Sequence, residues 1–87
     1  MATVSIPLLL AEVTGGARRA EVEGSTLAEI IRALDEIHPG IEARIRDGDK
    51  LRPTLAFTVD GKIAAAGLAT PVGPDSEVCM LPSFGGG

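Results

Sequence analysis

The sequence predicts an α+β domain in which a mixed sheet packs on one main helix. Three observations carry that prediction. Leu27, Ile30, Ile31, Leu34 and Ile37 fall at i, i+3, i+4, i+7 and i+10, a single apolar stripe of helical period. The segments beginning at Thr3, Leu55 and Glu77 alternate or run apolar over strand lengths. Asp60-Gly61, placed behind one of them, is a strong hairpin signal. With 87 residues, 45% hydrophobic and 23% charged, the chain is expected to form one globular domain rather than a disordered segment.

The elements follow in order. Thr3 to Leu10 alternates with Val4, Ile6 and Leu8 on one side, which predicts a strand with one buried face. Pro7 lacks an N–H, so it belongs at an edge, a bulge or the end of pairing. Thr14-Gly15-Gly16 supplies a turn into a more polar strand over Ala17 to Glu23, antiparallel to the first. Gly24-Ser25 breaks that strand, and Thr26 with Glu29 three residues later is a capping box that opens the helix. His38-Pro39-Gly40 closes it, since the residue before proline avoids helical geometry and glycine accepts a positive φ. A short helical turn over Ile41 to Arg46 puts Ile41 and Ile45 inward, and Asp47 to Lys50 reads as a polar loop. Leu55, Phe57 and Val59 form the inward side of a third strand, which Asp60-Gly61 returns through Lys62 to Ala65. After a turn-rich stretch from Gly67 to Ser76, the last strand covers Glu77 to Leu81, stops at Pro82 and is expected to pair parallel with the first in the sheet centre.

Composition excludes several functions. Two Phe, no Trp and no Tyr leave no stacking surface for bases, and a net charge of −4 repels phosphate, so nucleic acid is not an expected partner. The single Cys79 cannot form an internal disulfide or a paired metal site, which fits a reducing compartment. The apolar runs are too short to cross a bilayer and the first residues lack the basic flank of a signal peptide, so a cytoplasmic location is expected. His38 reads as a helix-end residue, Cys79 as a small buried hydrophobe, Asp47 and Asp49 as a solvated turn, and Gly15-Gly16 as a hairpin turn without the Lys-Ser/Thr of a phosphate cradle. No set of residues can run a reaction unaided, and neither a bound cofactor nor a metal is expected.

The sequence closes on Gly85-Gly86-Gly87 behind an ordered-looking strand. Glycine buries almost nothing and loses the most backbone entropy on ordering, so such a run cannot help hold a fold together. It is either a frayed end or an arm thin enough to enter another protein's active site and present the Gly87 carboxylate.

The order of elements, with Glu77-Val78-Cys79-Met80-Leu81-Pro82-Ser83-Phe84-Gly85-Gly86-Gly87 at the end, resembles the ubiquitin-like β-grasp sulfur carriers of the ThiS/MoaD family. Val4-Ser5-Ile6-Pro7, Gly67-Leu68-Ala69-Thr70 and Leu81-Pro82 resemble in particular the carriers of the thiocarboxylate-dependent cysteine pathway of actinobacteria. Gly85 where alanine is common, and Ser83-Phe84 in place of a small-Val pair, depart from the pattern. The resemblance implies a β-grasp domain over 1–82 and a flexible glycine tail over 83–87. It implies a carrier, not an enzyme. The Gly87 carboxylate would be adenylated by a ubiquitin-activating-type adenylyltransferase/sulfurtransferase that uses ATP, converted to a thiocarboxylate, and used by a sulfur-accepting synthase making cysteine, molybdopterin, thiamin or a thiolated secondary metabolite. Gly86, Gly85 and Phe84 would thread the partner's active site. Two other roles share the layout: a ubiquitin-like modifier joined to lysines through Gly87, and a β-grasp interaction subunit whose tail is irrelevant. For docking, Thr58, Cys79 and Leu81 are the candidates on the sheet face away from the helix, opposed to Phe57 and Met80. The acidic net charge suggests that the partner's surface has a basic rim.

Overall fold

A computed structural model describes residues 1–83. Its elements are β1 (Ala2–Ser5), a 3₁₀ turn (Leu8–Leu10) running into α1 (Ala11–Thr14), β2 (Arg19–Val22), α2 (Leu27–Ile37), α3 (Ile41–Ile45), β3 (Arg46–Asp47), β4 (Lys50–Leu51), β5 (Leu55–Val59), β6 (Lys62–Ile63), a 3₁₀ turn (Gly67–Ala69) and β7 (Glu77–Pro82). Five strands form one sheet in the order β2-β1-β7-β5-β6, with β3 and β4 as a separate hairpin. β1 and β7 are parallel at the centre, Val4 opposite Val78, and β5 runs antiparallel to β7 on its other side. This is the β-grasp arrangement expected from the sequence.

The main helix forms where its signals lie. Thr26 Oγ1 accepts the N–H of Glu29 at 3.3 Å, and the Glu29 carboxylate reaches back to the N–H of Ser25 at 2.8 Å rather than to Thr26. Those bonds with Ser25 hold the Glu29 carboxyl below its ordinary range. Gly24 sits one step earlier because a Cβ there would meet Glu29 Cβ and the Ile30 backbone N at 3.0 Å. Leu27, Ile30, Ile31 and Leu34 are buried against Val4, Val78, Phe57 and Met80 in one core. Ile37, expected in the same stripe, is exposed, because the helix ends at His38 and Ile41 of α3 takes the inward position. Asp35 caps α3 by accepting N–H groups from Gly40 and Glu42, each at 3.0 Å.

Three predicted segments take a different form. The first strand stops at Ser5 rather than Leu10, since Pro7 has no N–H to donate and its carbonyl instead accepts from Leu10 N at 3.0 Å, starting the 3₁₀ turn. Leu8 is consequently 66% exposed, and Leu10 goes inward in its place. Gly15 therefore caps α1 at φ +66° instead of forming a tight hairpin turn, although β1 and β2 pair antiparallel as expected. Asp47 to Lys50, read as a loop, is the tip of the β3–β4 hairpin.

Candidate functional site

The last strand organises the surface. Val78 and Met80 point into the core, and Cys79 and Leu81 point to the opposite face. The register puts Met80 opposite Phe57, Cys79 opposite Thr58 and Leu81 opposite Ala56. Thr58, Cys79 and Leu81 thus lie together on the face away from α2, as their alternation with Phe57 and Met80 implies. That face is open: Leu81 is 48% exposed, and Arg19, Ser5, Cys79, Thr58 and Ile63 form one row across all five strands. The centre of this face carries the small side chains of Ser5, Cys79 and Thr58, and the Cys79 thiol among them is half-buried.

The strand continues one residue beyond its predicted end, through Pro82 opposite Leu55. Ser83 N donates to Thr54 O at 2.9 Å. Because N–H groups alternate in direction along a strand, the N–H that Pro82 lacks would have pointed toward β1, which has already ended. The proline costs no ladder bond there. Beside it a groove of about 480 Å³ is lined by Ser5, Pro7, Leu8, Arg18, Leu81 and Pro82 among others. Phe84, Gly85, Gly86 and Gly87, the residues expected to thread a partner, lie outside the described residues.

The opposite end of β7 is fixed by a carboxylate. Asp60 and Gly61 have φ of +52° and +82°, the left-handed pair that a two-residue hairpin turn requires. The Asp60 carboxylate accepts from Ser76 Oγ at 2.7 Å and from Glu77 N at 2.9 Å, joining the β5–β6 turn to the start of β7. The Glu77 N–H and then the Ser76 hydroxyl hold its carboxyl below the ordinary 3.8. A carboxyl with a depressed folded-state pKa adds stability above its unfolded value, and that stability disappears as pH falls through the folded value. Asp60→Asn, which tolerates the same φ, should therefore be less stable than the native chain at pH 7 and equal to it in strong acid. Urea melts at both pH values measure this, and an equal deficit in acid would show that the charge is not what acts.

The backbone of His38 joins α2 to α3: its N–H donates to Leu34 O and its carbonyl accepts from Ile41 N. No group of three or more His, Cys, Asp or Glu that could hold a metal occurs among the described residues, and no helix there is long and apolar enough to cross a membrane. Sequence reasoning missed the groove at Pro7 and Leu8, although the proline carried the signal, and it missed the Asp60 lock.

A model of the ThiS family matches residues 4–87, nearly the whole chain. The chain belongs to the ThiS family. It is 33% identical over 90 residues to the sulfur carrier protein CysO of Mycobacterium tuberculosis, covering 98% of this chain and 97% of that protein. It superposes on a chain of the crystallised BexX/CysO complex of Amycolatopsis orientalis with a TM-score of 0.91, 34% identity and full coverage of both. The crystal structure of M. tuberculosis CysO gives a TM-score of 0.90 at 31% identity, over 97% of this chain and 100% of that one. SAMP1 from Haloferax volcanii gives 0.73 at 28% identity, over 99% and 98%.

Proposed function

We propose that this sulfur carrier delivers sulfur as a thiocarboxylate on Gly87. The chain is a carrier rather than a catalyst: it belongs to the ThiS family and resembles proteins named sulfur carriers over almost its full length. In the proposed sequence the Gly87 carboxylate attacks the α-phosphate of ATP on a ubiquitin-activating-type enzyme and pyrophosphate leaves. A sulfur nucleophile then attacks the acyl carbon of the mixed anhydride and AMP leaves. On a sulfur-accepting synthase the thiocarboxylate sulfur bonds to the acceptor, and water then cleaves the acyl carbon–sulfur bond, which leaves sulfur on the acceptor and returns the carboxylate. Partner docking is assigned to Leu81, Cys79 and Thr58, and passage into the partner's active site to Phe84, Gly85 and Gly86 at the end of the body formed by 1–82. The M. tuberculosis and A. orientalis relatives favour a cysteine-type or related biosynthetic acceptor, and the A. orientalis protein's complex with BexX supports docking on such an enzyme. The proposed dependence on ATP and on a reduced sulfur donor supports a cytoplasmic location.

The observation that carries the reading is the family match running through Gly87 itself. Intact mass spectrometry of the native protein, taken during demand for sulfur, should show a species in which one oxygen is replaced by sulfur, located by fragmentation at the C-terminal glycine. The likeness to SAMP1, whose full name is small archaeal modifier protein 1, supports a second reading in which a lysine amine attacks the same anhydride. That reading expects isopeptide-linked adducts instead. A single unmodified mass under every condition would end both.

A further inference from the structure

We propose that the end of the domain from which the arm leaves is a second docking surface, an apolar knuckle between arginines, fitted to an apolar socket rimmed with carboxylates on the adenylating enzyme. The inference rests on the sulfur-carrier reading and specifies the chemistry of its partner. Leu8 and Leu9 stand side by side on the 3₁₀ turn, 66% and 54% exposed. Each borders a different groove. Leu8 shares one with Arg18 and Leu81, and Leu9 shares another, about 350 Å³, with Arg44 and Arg52. Thr54 lines the second groove and binds the N–H of Ser83, so the chain leaves the body beside it. A protein that encloses the next residues must cover this end of the molecule, and two exposed leucines there reward an apolar counterpart.

The two grooves at this end are lined by Arg18, Arg44 and Arg52 and by no Asp or Glu, although the chain as a whole carries a charge of −4. Residues 44–52 hold four of the eight Lys and Arg and only two acids, and the remaining chain holds four basic and ten acidic residues. Arg46 is occupied by Glu42 at 3.2 Å. Arg44 meets Glu12 at 3.6 Å in an exposed pair of little strength. Arg52 donates through Nε to Ala43 O at 2.9 Å, which fixes its guanidinium, and among the described residues no carboxylate pairs with it. The anchored guanidinium of Arg52 and the weakly paired one of Arg44, beside an apolar knuckle, call for carboxylates around the socket. The basic rim suggested by net charge is thus reversed where the arm emerges.

The test is ATP–pyrophosphate exchange by the adenylating enzyme over a range of carrier concentrations, with urea melts to confirm that each variant folds. Leu8→Asp/Leu9→Asp and Arg44→Glu/Arg52→Glu should each raise KM about tenfold or more and leave kcat unchanged. The arginine effect should fade at high salt, and Arg44→Lys/Arg52→Lys should keep most of the function. Unchanged KM in both double variants, with normal exchange by the native carrier, overturns this inference alone. Self-association of the native chain abolished by Leu8→Asp/Leu9→Asp would assign the patch to a second copy and also overturn it. So would shifts of the Leu9 and Arg52 amide resonances on deletion of 84–87, which would give the groove to the chain's own end. No exchange with the native carrier overturns the carrier reading and this inference together.

Discussion

Deleting Gly87, or changing Gly86 to Ala, is expected to abolish adenylation and leave the unfolding midpoint where it was. The two halves of this expectation have separate causes. The core described from Ala2 to Met80 is built of apolar side chains, and a glycine has none to add to it. The proposed activation, in contrast, delivers a carboxylate into a closed site that excludes water around ATP, where a Cβ near the reacting carbon would collide with the walls. A loss of at least about a hundredfold, equivalent to roughly 2.7 kcal/mol in the barrier, is expected in ATP–pyrophosphate exchange. Full exchange by the shortened chain would refute the assignment of Gly87 as the reacting group.

Met80→Asp should prevent folding, whereas Leu81→Asp should leave a folded domain that is activated poorly. Met80 is 2% exposed, sits opposite Phe57 and belongs to the core that α2 covers. A carboxylate placed there has no cationic partner in an aliphatic surrounding, and the cost of several kcal/mol is comparable with the whole stability of a small domain. Leu81, one residue on, lies on the open face, where a charge stays hydrated and only the match to an apolar partner surface suffers. Circular dichroism separates folded from unfolded variants, and exchange kinetics read the docking defect. The reverse pair of results would move the docking surface to the other side of the sheet.

Local chemistry made much of this fold legible. The capped apolar stripe of α2, the Asp60-Gly61 turn and the two-residue period of β5 and β7 are each decided within a few neighbouring residues, and each formed where its signal lies. Misreadings arose where one residue overrode a longer pattern. Val4, Ile6 and Leu8 kept a strand's alternation, but Pro7 ended the pairing and tertiary packing chose Leu10 in place of Leu8. Ile37 kept the helical period past the point where the helix had a core beneath it. At the candidate site, the sharing of one face by Thr58, Cys79 and Leu81 followed from alternation alone. The grooves near Pro82 and Thr54, and the arginines on one of them, come together only through contacts distant in sequence, which no local pattern encodes.

The placement of β7 between two partners has a mechanical consequence. Load applied to the arm passes along the strand axis through Pro82 and meets ladder bonds set across it, on the β5 side from Leu55 to Val59 and on the β1 side from Thr3 to Ser5. Bonds loaded in this way must slide together rather than open one at a time, and Asp60 pins the far end of the strand to the turn behind it. On the proposed function, an enzyme that grips the chain beyond Ser83 pulls against the whole sheet at once, and the domain serves it as a rigid handle.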